Sequence, residues 1–121
     1  MSKETLTKSI REIPDFPIPG ILFYDVTTLF KEPTALQELS DTLYEMYKDK
    51  GITKVVTIES SGIAPAYATA IRLNVPLIFI KKTQPSTMID PAFAEVFSFT
   101  KNKTYPICIE KEYLKKGDKV L

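Results

Sequence analysis

The chain has 121 residues, 44% hydrophobic and 26% charged, which suits one ordinary globular domain with its own core. Its net charge of +1 gives no concentrated basic field for nucleic acid or an anionic membrane, and no apolar run nears the roughly 20 residues of a membrane span. With no histidine and one cysteine, the commonest general base is missing, a Cys/His zinc site cannot be assembled and an intrachain disulfide is ruled out.

The lone thiol, Cys108, and a start (MSKETLTKSI) without an apolar leader point to a reducing cytoplasm. Residues 2–12 place Leu6 and Ile10 at helical spacing, which predicts a short amphipathic helix. Residues 13–25, IPDFPIPGILFYD, hold Pro14, Pro17, Pro19 and Gly20. Such a density of prolines forbids helix and predicts an extended, turning path. Phe16, Phe23 and Tyr24 on that path could stack on a planar base, or could pack the segment against a core. Thr27 and Thr28 read as structural.

A helix is predicted over 34–49, with Leu36, Leu39, Leu43 and Met46 on one face. Thr34 with Gln37 forms a candidate capping box, and Gly51 sits where a left-handed cap would close the helix. Then come a strand over 54–59 that reads as buried, a turn at Ser60-Ser61-Gly62, an alanine-rich helix over 63–73 and a strand over 76–80. This strand–helix–strand unit predicts parallel strands. Residues 81–91 read as a loop. Strands over 94–100 and 104–110 predict a hairpin around Lys101-Asn102-Lys103. Gly117-Asp118 reads as a turn, and Lys119-Val120-Leu121 as the first residues of another buried strand.

Two places carry candidate chemistry. Glu59-Ser60-Ser61-Gly62 falls at the carboxyl end of a parallel strand and the start of a helix, where α/β sheets bind ligands and where backbone N–H groups favour anions. A plain tight connection explains the same residues equally well. Lys81 and Lys82 end the next strand on the same edge, either to neutralise a pyrophosphate or as solvated loop lysines. The acidic residues 90, 95, 110 and 112 are scattered, and Cys108 reads as a small buried hydrophobe.

IREIPDFPIPGILFYDVTTLF, residues 10–30, resembles the front of the adenine phosphoribosyltransferases. GITKVVTIESSGIAPA (51–66) and SFTK (98–101) resemble the xanthine branch of the same superfamily. Residues 1–50 therefore look adenine-like and 51–121 xanthine-like. The resemblance implies a type I phosphoribosyltransferase of purine salvage. Its fold is α/β: a Rossmann-like parallel sheet with flanking helices, an N-terminal hood and a β-hairpin flap. Residues 1–33 would be helix and hood, 34–82 the core and 83–112 the flap loop and hairpin. The implied reaction transfers 5-phosphoribosyl from phosphoribosyl pyrophosphate (PRPP) to adenine or xanthine and releases pyrophosphate with Mg²⁺.

By that resemblance Glu59, Ser60, Ser61 and Gly62 form the pyrophosphate loop, with a non-proline cis peptide near Glu59–Ser60, and Lys81 and Lys82 are the basic pair. Leu22, Phe23 and Tyr24 belong to the hood over the base. Ser98, Thr100 and Lys101 belong to the flap. The PRPP motif would follow the strand begun at Lys119, so the resemblance implies the N-terminal portion of the domain, with little catalysis from these residues alone. It also implies a cytoplasmic homodimer with purine and PRPP as partners, without nucleic acid or membrane. Two other readings are a truncated or recombined scaffold without activity, and a non-catalytic sensor of PRPP or purine.

Overall fold

The computed structural model describes residues 3–98 and 101–121. Helix α1 (Lys3–Ser9) is shorter than the predicted 2–12. The Thr28 hydroxyl donates to the Ser9 carbonyl at 2.7 Å and accepts the Arg11 N–H at 3.0 Å. That pulls the chain out of the helix and into strand β1 (Arg11–Ile13). β1 pairs antiparallel with β2 (Phe23–Asp25), so the proline-rich segment is the bend of a small hairpin. The Phe16–Pro17 bond in that bend is cis. Arg11 and Asp25 pair across the base of the hairpin at 2.7 Å. Asp25 also accepts the Thr27 N–H and hydroxyl at 3.0 and 2.6 Å. Thr27 and Thr28 are thus structural, as expected, and they open helix α2 (Thr27–Phe30).

Helix α3 (Pro33–Tyr47) starts one residue before the predicted boundary. The expected capping box is not formed: Glu32 is the N-cap, without a side-chain bond, and Pro33 at the first position supplies a preset φ. The buried stripe also differs. Ala35 is buried, whereas Leu36 and Met46 are exposed, because the small Ala35 lets neighbouring helices approach closely. Gly51 is left-handed (φ +69°), but it follows a further turn rather than capping the helix directly.

Strand β3 (Val55–Ile58), helix α4 (Ile63–Leu73) and strand β4 (Leu77–Ile80) form the predicted unit, with β3 and β4 parallel. Burial along β3 alternates rather than being uniform. Val55 and Thr57 are buried, while Ile58 is 40% exposed. Lys119–Leu121 lies parallel beside β3 on its other edge, with Val56 N–H bonded to Leu121 at 2.8 Å. These residues were expected to be buried, yet Val120 is 46% exposed, since successive side chains along an extended segment point to opposite faces.

Strands β5 (Pro91–Ser98) and β6 (Lys103–Glu110) form the expected hairpin, starting three residues earlier than predicted. Asn102 makes its left-handed turn (φ +50°). Lys81 exchanges two 2.8 Å backbone bonds with Cys108, which joins the hairpin to the β4 end of the sheet. Cys108 is buried there as a small apolar residue. A 3₁₀ turn at Lys111–Tyr113 leads to the Gly117–Asp118 turn. No helix among the described residues is long and apolar enough to cross a membrane.

Candidate anion site at the sheet edge

β3 and β4 run parallel and end at the same edge, so the residues that follow them, Glu59 and Lys81, become neighbours. Their side chains pair at 3.6 Å, both partly exposed. The Glu59–Ser60 peptide is cis, as the resemblance implied. Ser60 and Ser61 are exposed. Gly62 caps the 11-residue α4 without a side chain, so the electropositive end of that helix faces the serine turn.

Gly62 is there for a steric reason. A Cβ built on it would lie 2.9 Å from Thr57 Oγ1, and Thr57 is buried in β3. Only glycine lets the turn pack this close to the strand below it. Lys81 Nζ lies over the Phe79 ring at 5.2 Å. Lys82 is exposed, with its ammonium 5.7 Å from the centre of the Tyr105 ring; Lys101 approaches the same ring at 6.0 Å. At the edge, Lys81 pairs with Glu59 beside two exposed serines and a helix start, and Lys82 and Lys101 converge on the Tyr105 ring of the adjoining hairpin. That arrangement suits a polyanion.

The hood residues divide. Leu22, just before β2, and Tyr24 within it are 44% and 58% exposed. Phe23 points the other way and packs edge-on against Phe16, centroids 5.2 Å apart. Phe23 is thus a packing residue, while Leu22 and Tyr24 are free to meet a ligand. Ser98 ends β5, and its Oγ accepts the Lys101 N–H at 3.3 Å across the hairpin tip. Thr100 lies outside the described residues. A cavity of about 530 Å³ between α1 and α3 and another of about 400 Å³ under the 82–90 loop hold neither the hood face nor the serine turn. Neither cavity joins hood and turn into one site.

Two arrangements went unread in the sequence. Glu110 is buried and accepts the Ile89 and Asp90 N–H groups at 2.9 and 2.8 Å. Asp118 accepts from Lys54 Nζ at 2.8 Å, Thr53 Oγ1 at 2.9 Å and Lys115 N at 2.7 Å. Led by the Lys54 bond, these hold its carboxyl down at about 2. Both pairings join residues far apart in the chain, so spacing gave no sign of them. Among the described residues, no three His, Cys, Asp or Glu side chains gather as a metal site.

No family model matches the chain. Whole proteins do. The adenine phosphoribosyltransferase of Bacteroides thetaiotaomicron is 55% identical over all of this chain and 67% of its own length. That of Phocaeicola vulgatus is 53% identical over all of this chain and 68% of its own. The chain belongs to the adenine phosphoribosyltransferase family. It spans about two thirds of the length of these relatives. The xanthine resemblance is also real: the xanthine phosphoribosyltransferase of Finegoldia magna is 50% identical over 74% of the chain. Relatives of the adenine type nevertheless match the chain from end to end.

The fold agrees. The enzyme of Giardia lamblia, solved with 9-deazaadenine, superposes with a TM-score of 0.86 at 31% identity, over 99% of this chain and 65% of that one. The Rhodothermus marinus enzyme gives 0.79 at 31% identity over 97% of this chain. The type I phosphoribosyltransferase fold expected from the sequence is thus the fold observed.

Proposed function

We propose that the chain takes part in purine salvage as a phosphoribosyltransferase, moving the 5-phosphoribosyl group of PRPP to a purine nitrogen with release of pyrophosphate. The observation that carries this reading is the Glu59–Gly62 turn beside Lys81, at the shared carboxyl edge of two parallel strands. In it Ser60, Ser61 and the start of α4 bind the leaving pyrophosphate, and Lys81 and Lys82 neutralise its charge. As the C–O bond to pyrophosphate lengthens, negative charge grows on the leaving group. Fixed N–H groups and ammoniums meet that charge more strongly in the transition state than in the bound substrate. No general base is required for this part of the reaction, which accords with a chain that has no histidine.

Leu22 and Tyr24 contact the base, and Lys101 closes over the site from the hairpin. Mg²⁺ bound along with PRPP would add to the neutralisation of the leaving pyrophosphate. Adenine is the proposed base, because the adenine-type relatives match the whole chain and the xanthine type matches 74% of it. A cytoplasmic homodimer belongs to the same proposal, with sedimentation equilibrium as its check. The assay is nucleotide formation from PRPP and Mg²⁺, with adenine, xanthine, guanine and hypoxanthine offered separately. Because these residues make up about two thirds of the relatives' length, little turnover is expected, and what occurs should be of adenine. Turnover of xanthine in preference would reverse the base assignment, and no turnover of any base would refute catalysis by these residues alone.

A further inference from the structure

The loop from Lys82 to Asp90 is fastened at both ends to one strand. At its near end, Lys81 and Cys108 exchange two backbone bonds of 2.8 Å. At its far end, the buried Glu110 carboxylate takes the N–H groups of Ile89 and Asp90, one on each oxygen, at 2.9 and 2.8 Å. The Lys111 N–H adds a bond of 3.1 Å to the Asp90 carbonyl. Residues 108 and 110 lie at the end of β6 and 111 directly follows it, so the end of β6 sets the span of the loop. Pro91 stands opposite Glu110 in the ladder and has no N–H to offer. The carboxylate takes the two amides just before it instead.

Packing does little of this fastening. Beneath the loop is a cavity of about 400 Å³, bounded by Phe79, Lys81, Pro85, Met88, Glu110 and Tyr113. Ile89, at the clamped end, is 87% exposed. A loop over a hollow with an outward-facing end depends on its polar ties. Charge-assisted bonds to a buried carboxylate are the strongest ties present. An unfastened loop would have to be ordered each time an anion bound its lysine, and that ordering would be subtracted from the affinity.

The geometry points to Glu110 as the positioning residue for the pyrophosphate lysines. By clamping the far end of the 82–90 loop to β6, it holds Lys82 at the sheet edge before the anion arrives. The inference rests on the reading of the Glu59–Gly62 turn and Lys82 as a pyrophosphate site. Glu110 touches no substrate and acts through the loop. Because coupling is reciprocal, an anion held by Lys82 must tighten the clamp by the same factor that the clamp tightens the anion.

Sodium pyrophosphate is titrated calorimetrically into the unaltered chain and into Glu110→Ala, Glu110→Gln and Lys82→Ala, with thermal melts of each. Glu110→Ala is expected to weaken binding about tenfold, the loss carried by two charge-assisted bonds. Glu110→Gln, which keeps one acceptor oxygen, should lie between Ala and the unaltered chain. A Glu110→Ala chain that melts cooperatively and binds pyrophosphate unchanged would overturn the inference. Should Glu110→Ala fail to fold, hydrogen exchange of the unaltered chain decides. Saturating pyrophosphate must slow exchange at the Ile89 and Asp90 amides, and unchanged exchange overturns the clamp. If the unaltered chain and Lys82→Ala bind alike, or neither binds, the pyrophosphate reading itself fails and the inference falls with it.

Discussion

Gly62→Ala tests whether the serine turn is held close to the sheet for a reason. The added Cβ would sit 2.9 Å from Thr57 Oγ1, roughly 0.5 Å inside ordinary contact. Gly62 has φ −78°, so the substitution brings no backbone strain and the effect is purely steric. Thr57 is buried and β-branched, with little freedom to turn away. The turn must therefore lift. Overpacking of this kind costs about 1–3 kcal/mol, and the displaced Ser60–Ser61 turn should lose pyrophosphate affinity as well. Urea denaturation measures the first effect and calorimetry the second. Thr57→Ala removes the obstructing atom, so the double variant should recover much of the Gly62→Ala loss. Additive losses, or a Gly62→Ala change below about 0.5 kcal/mol, would show that the contact is not what places glycine there.

Other consequences follow from single contacts. The Asp118 carboxyl sits at about 2 in the folded chain, below its ordinary 3.8. Its contribution is therefore complete above pH 3.8 and fades as pH falls towards 2. Urea midpoints taken from pH 5 to 2 should fall more steeply for the unaltered chain than for Asp118→Asn, and parallel curves would refute this. Lys82→Ala should weaken pyrophosphate about tenfold, with less salt dependence in what remains, because one exposed ammonium is lost. Leu22→Ala and Tyr24→Ala should leave stability within about 0.5 kcal/mol, whereas Phe23→Ala should cost about 2 kcal/mol through its contact with Phe16. Equal losses at all three would refute the division of the hood. Cys108 is buried, so a thiol reagent should label it only as fast as the chain opens.

Local signals announced most of the architecture. The helix at 63–73 and the strands on either side follow from composition and spacing, and the parallel pairing follows from their order. Errors arose where a contact from elsewhere in the chain decided. The first helix ends early because Thr28, nineteen residues beyond Ser9, takes its carbonyl. Pro33 starts α3 where Thr34 had the better capping pattern. Val120 pairs with the sheet and remains exposed, because strand chemistry reveals pairing but not what covers the strand. At the site, Glu59, Gly62 and Lys81 were legible because strand ends on one edge become neighbours. Glu110 was not: its partners lie about twenty residues earlier and are backbone groups, which no side-chain pattern marks.

The most direct test of the account is a titration of PRPP into isotopically labelled chain, followed by amide chemical shifts. The account predicts saturable shifts concentrated at Ser60, Ser61, Gly62 and Lys82, reproduced by pyrophosphate alone and lost in Lys82→Ala. Shifts centred elsewhere, or none at those four amides, would contradict it.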